Sequence, residues 1–263
     1  METYPIDWFL TAGTEYTPKS WQVLVIKKLG TDASSKVDIY IDKKYCGSII
    51  DKVAPLYQDT TNILPLLDLG ELFLVVPGDK SLKFEGSGTV RVVGELITLS
   101  PGETIPADLL ARFREQSNRF VTYETGSVSL GTDVAWGAGS VITIYEKQLR
   151  KSEKFIFDGL VRVDQANVGT SPGLVAIQFY LDDEPKFNTE DKTGPEGIDM
   201  KAFLIDSGRL EYFTLAKWPI ELLGDHKLTI KAKNISGGAI TPPSGSSISL
   251  TVYLVGKYTK FVG

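Results

Sequence analysis

The side chains that most often carry catalysis are scarce in this sequence. Among 263 residues there is one histidine, His226, and one cysteine, Cys46. An intrachain disulfide, a thiolate zinc site and a histidine-rich metal site each need more of these side chains. A nucleophilic Cys–His pair would require these two residues to meet, and one histidine in a turn does not indicate a Ser-His-Asp arrangement. We therefore expect that the chain is not an enzyme.

Carboxylates are the remaining candidates for chemistry. One acidic cluster covers residues 182–184, and residues 190–191 and Asp199 extend it along the chain. Carboxylate oxygens suit Ca²⁺, but the Asp-x-Asp-x-Asp-Gly spacing is missing, and a solvated loop explains the charges equally well. A carboxylate pair could hydrolyse a glycosidic bond, but spacing in sequence does not show which carboxylates face each other. We predict no catalytic residue, metal or cofactor, and assign Asp183 and Glu184 to an interaction loop.

The elements that must position these side chains repeat along the chain. A Gly-Asp pair, which suits a tight turn, occurs twice, and three other short motifs recur in the same order. The matched segments are Gly-Asp at 78–79 and 224–225, Thr-Val-x-x-Val-Gly at 89–94 and 251–256, Tyr-x-Asp at 40–42 and 180–182, and Leu/Ile-Asp-x-Gly at 67–70 and 205–208. Four matches in one order predict two homologous domains.

Short β-strands dominate the pattern between these motifs. Apolar and polar side chains alternate at 37–42, and Gly- and Pro-rich turn signals recur at short intervals. One amphipathic helix is predicted over 107–118. This pattern predicts an all-β chain of two tandem β-sandwiches, jelly-roll-like or alternatively immunoglobulin-like, joined by a short helix. The predicted ranges are a first domain with an N-terminal arm at 1–103, a linker helix at 104–119 and a second domain at 120–263.

Differences between the two copies point to loops as sites of recognition. The second copy is longer at residues 234–246, where Pro242 and Pro243 lie in a Gly-rich stretch. Exposed aromatic rings also stack on sugars or bind protein partners, although aromatic residues are common in cores as well. The predicted interaction residues are Trp8, Phe9, Asp183, Glu184, Trp218, Pro242 and Pro243.

Charge and hydropathy restrict the partners. Lys and Arg number 28 against 33 Asp and Glu, which gives a net charge of -5 at pH 7. The chain lacks the basic patch that nucleic-acid phosphates require, so we expect no direct binding of nucleic acid. No stretch approaches the roughly 18 apolar residues of a membrane span, and no signal peptide is visible at the N-terminus. We expect synthesis in a cytoplasm without secretion.

Tandem β-sandwiches joined by a short helix, without cysteine pairs or catalytic motifs, resemble the structural proteins of virions. These include double jelly-roll coat proteins, turret or penton-associated proteins, decoration proteins, and phage head or tail adaptors. The resemblance covers almost the whole chain and rests on the repeated Gly-Asp and Thr-Val-x-x-Val-Gly elements, so no functional residue is carried over. It implies synthesis in the host cytoplasm, location in the virion, and binding to further copies of the chain and to other virion proteins. The alternative is a carbohydrate-binding module or a receptor-binding fibre domain, with glycans as partners.

Overall fold

Two compact units make up the molecule. The computed structural model describes residues 1–58, 63–187, 197–205 and 211–261. The first unit comprises Met1–Tyr123 together with Lys257–Gly263, and the second comprises Glu124–Gly256. In these described residues, both units consist mainly of antiparallel β-strands, and the α-helix lies in the first. The prediction of an all-β, sandwich-like chain with a short helix is confirmed.

The described residues of the first unit contain nine complete β-strands followed by one α-helix. Its strands show the alternation expected of one buried face; Val37, Ile39 and Ile41, for example, are buried, and the residues between them are half-buried. In chain order the elements are β1 (Glu2–Thr11), β2 (Glu15–Tyr16), β3 (Gln22–Thr31), β4 (Val37–Ile41), β5 (Lys44–Ile49), β6 (Leu67–Asp68), β7 (Leu74–Pro77), β8 (Leu82–Glu85), β9 (Thr89–Thr98) and α1 (Ala107–Glu115), with a 3₁₀ turn at Gly70–Leu72.

The strands of the first unit form nested antiparallel pairs, in which the first strand pairs with the last and each following pair lies inside the one before it in sequence. β1 pairs with β9, β2 with β8, β3 with β7 and β4 with β5, all antiparallel. These pairs form two sheets, ordered β1-β9-β3-β7 and β2-β8-β4-β5, and β6 also pairs with β3. Such nested pairing is the connectivity of an eight-stranded jelly roll.

The second unit repeats this arrangement, and its first and last strands are each 14 residues long. Two of its strands, the first and the last, extend across the boundary residues of the units. The elements are β10 (Arg119–Thr132), β11 (Val141–Gln148), β12 (Glu153–Phe157), β13 (Val161–Ala166), β14 (Val175–Leu181), β15 (Glu184–Pro185), β16 (Ile198–Asp199), β17 (Ile220–Leu223), β18 (Lys227–Asn234) and β19 (Ser247–Lys260), with a 3₁₀ turn at Met200–Phe203.

The strand order of the second unit matches the first strand by strand. Its sheets are ordered β10-β19-β12-β17 and β11-β18-β14-β15; β13 also pairs with β19, and β16 with β14. The nested pairs are therefore β10 with β19, β11 with β18, β12 with β17 and β14 with β15. Both units have jelly-roll connectivity, the first of the two topologies that the sequence predicted.

The repeated Gly-Asp motif occupies equivalent turns. Asp79 and Asp225 follow β7 and β17, and both have left-handed backbones, with φ of 63° and 70°. The Asp79 N–H donates to the Pro18 carbonyl at 3.1 Å, and the Asp225 N–H donates to the Leu149 carbonyl at 3.0 Å. Aspartate tolerates this backbone conformation better than most residues, which explains its recurrence.

The Tyr-x-Asp matches are also equivalent in structure. Asp42 and Asp182 begin the turns from β4 to β5 and from β14 to β15, with φ of 50° and 52°. Each carboxylate contacts a basic side chain next to the repeated Gly-Asp pair, Lys80 for Asp42 and His226 for Asp182. The fourth match is not testable in this way, because 206–208 lie outside the described residues.

Close packing of strands explains the glycine that ends the Thr-Val-x-x-Val-Gly motif. A Cβ on Gly94 would overlap the carbonyl oxygen of Val25, and one on Gly256 would overlap that of Ile156. In both units, therefore, the last strand passes so near its neighbour that only glycine fits.

Helix α1 covers part of the outer face of the first sheet. Leu109 packs with Val23, Val25, Val75 and Ile97 in one buried cluster. The predicted helix is therefore present, ending at Glu115, and its apolar side contacts the first unit.

Two buried polar side chains fasten this helix to the sheet. The Gln116 amide donates to the carbonyl of Val75 and accepts from its N–H, both at 2.9 Å. The Arg112 guanidinium donates to the carbonyls of Leu72, Phe73 and Arg119, at 2.7–3.3 Å. The Gln116 bonds satisfy the N–H and C=O of Val75 at the edge of β7, and the Arg112 bonds satisfy carbonyls outside that strand.

Candidate functional site

Strand β1 forms an open edge of the first unit. It is the end strand of its sheet, and among the described residues no strand pairs with its other side. Its ten residues include Phe9, whose side chain is 48% exposed, and Tyr4, which is 50% exposed. A long edge strand of this kind is a template for pairing with another chain.

Hydrogen bonds at the ends of the strands show which backbone groups face this edge. Ala12 N–H donates to the Gly88 carbonyl, in register with the pairing of Thr11 with Thr89. Because antiparallel strands bond at alternate residues, even-numbered residues of β1 face β9. On the other side of β9, Leu99 N–H donates to the Trp21 carbonyl. Odd-numbered residues of β9 therefore face β3 and its even-numbered residues face β1, in agreement with the pairing of even-numbered residues of β1. The odd-numbered residues of β1 therefore direct their N–H and C=O groups to the open edge.

Four side chains form a compact group on the outer face beside this edge, the Phe9 cluster: Asp7, Phe9, Tyr57 and Arg91. The rings of Phe9 and Tyr57 have centroids 5.8 Å apart. The Arg91 guanidinium carbon lies 5.5 Å from the Phe9 centroid and 5.6 Å from the Tyr57 centroid. Arg91 also donates to both carboxylate oxygens of Asp7, at 2.9 and 2.7 Å.

The electrostatics of the Phe9 cluster keep it charged and ordered. The hydrogen bond from Arg91 lowers the pKa of Asp7, and the bond to Asp7 raises the pKa of Arg91. The bidentate geometry orients the guanidinium over the rings. Exposed aromatic rings with an arginine are the side chains that most often dominate binding energy at protein interfaces.

Trp8 points to the opposite face of β1 from Phe9. Its ring is half-buried and makes an edge-on contact with Tyr16, with centroids 5.3 Å apart. The two predicted N-terminal interaction residues thus lie in the edge strand but on different faces. Trp8 belongs to the rim of the core, and Phe9 belongs to the outer surface.

Asp183 lies in the turn between β14 and β15, and Glu184 is the first residue of β15. Asp183 is exposed, has φ of 68°, and has a carboxylate oxygen 3.8 Å from the Lys227 ammonium. Its neighbour Asp182 pairs with His226, and the hydrogen bond from His226 lowers the pKa of Asp182. The carboxylates of Asp182 and Asp183, in this exposed turn, therefore already contact basic side chains of the protein.

Trp218, Pro242 and Pro243 lie in two loops of the second unit. Trp218 is 60% exposed in the segment before β17. Pro242 is buried, whereas Pro243 is exposed, in the loop from β18 to β19. The buried Asn234 amide holds this loop by donating to the carbonyls of Trp136, Gly137 and Gly238.

A surface groove of about 440 Å³ lies beside Trp21 in the first unit. Its walls include the Trp21 ring, which is 51% exposed, and the side chains of Ser20, Ser100 and Glu103. The Lys19 ammonium lies 5.5 Å from the Trp21 centroid. A flat ring beside hydroxyl and carboxylate groups can contact a small polar ligand.

The described residues contain no group of three or more His, Cys, Asp or Glu side chains arranged to hold a metal ion. Cys46 is buried, and burial raises the pKa of its thiol to about 12, so it is not a reactive thiolate. No helix in the described segments is long and apolar enough to cross a membrane.

The sequence named Phe9 as a candidate interaction residue but named no other member of the Phe9 cluster. Asp7 and Arg91 are 84 residues apart in sequence, and they meet only because β1 pairs with β9. Tyr57 lies in the connection after β5, where no repeated motif marks it. One signal was available: Asp7 and Phe9 alternate with apolar Ile6, Trp8 and Leu10, which predicts an exposed face containing both.

Comparisons with known proteins assign no family to this chain. No protein-family model and no curated protein matches it. A conserved protein of unknown function from Pseudomonas aeruginosa PAO1 is 7% identical, with 96% of this chain and 79% of that chain covered and a TM-score of 0.22. The structure of infectious bursal disease virus, Gx strain, is 13% identical, with 99% and 80% covered and a TM-score of 0.21. BuGH86 in complex with neoagarooctaose is 11% identical, with 97% and 34% covered and a TM-score of 0.24.

Proposed function

We propose that this chain is a structural component of a virus or phage particle and acts by protein–protein assembly. Its partners would be further copies of itself and other virion proteins. In this proposal the chain has no catalytic activity, is made in the host cytoplasm and resides in the virion. It binds no nucleic acid directly, in keeping with its net charge of -5.

The observation that carries this proposal is the nested strand pairing found twice in one chain. Jelly rolls serve as viral capsid domains and as lectin domains, so connectivity alone favours these two classes. Because one fold hosts many functions, the surface must decide between them. The open edge of β1 and the exposed Phe9 cluster favour binding to protein over binding to sugar.

Carbohydrate binding is the second candidate, as a binding module or a receptor-binding fibre domain. The groove beside Trp21 favours it, because an exposed indole flanked by hydroxyl groups suits a sugar ring. Jelly-roll lectins make this alternative compatible with the fold.

The mass of the full chain in solution tests the proposal. Sedimentation over a wide range of concentrations is expected to show a closed, symmetric oligomer or larger particles. A chain that stays monomeric throughout, and that binds glycans on an array through Trp21, would overturn assembly in favour of the lectin class. Loss of glycan binding in Trp21→Ala would identify that groove as the site.

A further inference from the structure

We propose that β1 binds the β1 strand of a second copy, antiparallel, with a two-fold axis at Trp8. This inference rests on the proposed assembly function and names its partner and contact. The contact would join two five-stranded sheets, one from each copy, into one continuous sheet. Its support comes from the backbone groups, the half-buried side chains and the charges along the edge.

The backbone groups at the open edge fit one register. With the axis at Trp8, Asp7 lies opposite Phe9 of the second copy, and each can donate to the other's carbonyl. Pro5 then lies opposite Thr11 of the second copy. Pro5 has no N–H to give, and the Thr11 carbonyl already accepts from Thr14 N–H at 3.2 Å. The Thr11 carbonyl therefore needs no donor from Pro5 of the second copy, and the Thr11 N–H can donate to the Pro5 carbonyl.

The side chains favour the same register. On the inner face the axis sets Trp8 directly against Trp8 of the second copy, in a non-hydrogen-bonded pair whose side chains are closest. Trp8 and Leu10 are only half-buried in one copy, so pairing covers the apolar surface that each leaves open. Aromatic cross-strand pairs of this kind stabilise sheets.

The register with its axis one residue earlier, at Asp7, is worse in both charge and hydrogen bonding. An axis at Asp7 would set Asp7 against Asp7 of the second copy, and like charges directly opposite are destabilising. It would also place Phe9 opposite Pro5 of the second copy, which leaves the Phe9 carbonyl without a donor. Proline in an edge strand protects against indiscriminate pairing, and here it selects between registers.

A matched pair of proline variants tests the contact. Thr3 and Thr11 both direct their N–H groups outward, but only Thr11 lies within the paired segment. Thr11→Pro removes a bond made twice by symmetry and is expected to weaken dimerisation about 10-fold, measured by sedimentation equilibrium. Thr3→Pro is expected to leave dimerisation unchanged. Equal effects of the two variants would overturn the inference.

Disulfide trapping tests the register without relying on those variants. Hydrogen-bonded neighbours lie about 5.5 Å apart at Cα, within the range that a disulfide spans. An equimolar mixture of Asp7→Cys and Phe9→Cys chains, oxidised with glutathione disulfide, should form a cross-linked dimer. Each variant alone should not, and the buried Cys46 does not compete. Cross-linking of Asp7→Cys alone would overturn the axis at Trp8.

The two proposals can fail separately. If the wild-type chain forms oligomers but the mixture of Asp7→Cys and Phe9→Cys chains gives no cross-link, the assembly function stands and the β1 contact is overturned. A wild-type chain that is monomeric at every concentration and joins no particle overturns the assembly function itself.

Discussion

Arg91 organises the exposed surface of the first unit through two kinds of interaction. Its guanidinium makes a bidentate ion pair with Asp7 and lies over the rings of Phe9 and Tyr57. Asp7 is exposed, so the ion pair contributes modestly to stability, but it fixes the direction of the guanidinium plane. The rings therefore hold one arrangement that a partner can recognise.

The charge of Asp7 makes this contribution dependent on pH. Its pKa lies below the ordinary 3.8 in the folded chain, so the stabilisation is complete above that value and is lost as the pH falls through the folded pKa. Asp7→Asn is expected to lower the free energy of unfolding by about 0.5–1 kcal/mol at pH 7 and by less at about pH 3, below the ordinary pKa of the carboxyl. Urea denaturation of dilute protein at both pH values measures this difference. A deficit of equal size at both would show that the carboxylate charge is not its cause.

Helix α1 covers the edge of β7, and Gln116, the residue after the helix, forms hydrogen bonds to the backbone of that edge. Its amide imitates a neighbouring strand, because it both donates to and accepts from the backbone of Val75. Gln116 is 1% exposed, so water does not replace these bonds when they are lost. An apolar side chain of similar size would leave a buried donor and a buried acceptor unpaired.

Gln116→Leu is therefore expected to cost about 2 kcal/mol or more of unfolding free energy, measured by urea denaturation. Glu115→Ala, one residue earlier and exposed, is the control and should change it by no more than about 0.5 kcal/mol. Similar values for both variants would show that the amide bonds do not hold the helix on the sheet.

Over the whole molecule, local chemistry was predictable and long-range pairing was not. The turns at Asp79 and Asp225 follow from residue types that tolerate a left-handed backbone, and the glycine at 94 follows from a repeated motif. The pairing of β1 with β9 joins segments almost a whole unit apart, so no local signal contains it. For the same reason Phe9 could be chosen as a candidate from its residue type, whereas its contact with Arg91 could not be predicted.

The charge of the whole molecule predicts how assembly responds to salt. Each copy carries a net charge of -5 at pH 7, so copies repel one another as they meet. Raising the ionic strength from about 0.01 M to about 0.15 M shortens the screening length from about 30 Å to about 8 Å. The proposed contact consists of backbone hydrogen bonds and tryptophan rings, which salt does not screen. The dissociation constant from sedimentation equilibrium should therefore fall several-fold as salt rises. Weaker association in salt would indicate an interface held by ion pairs, with the Asp7–Arg91 pair exchanged between copies as its first candidate.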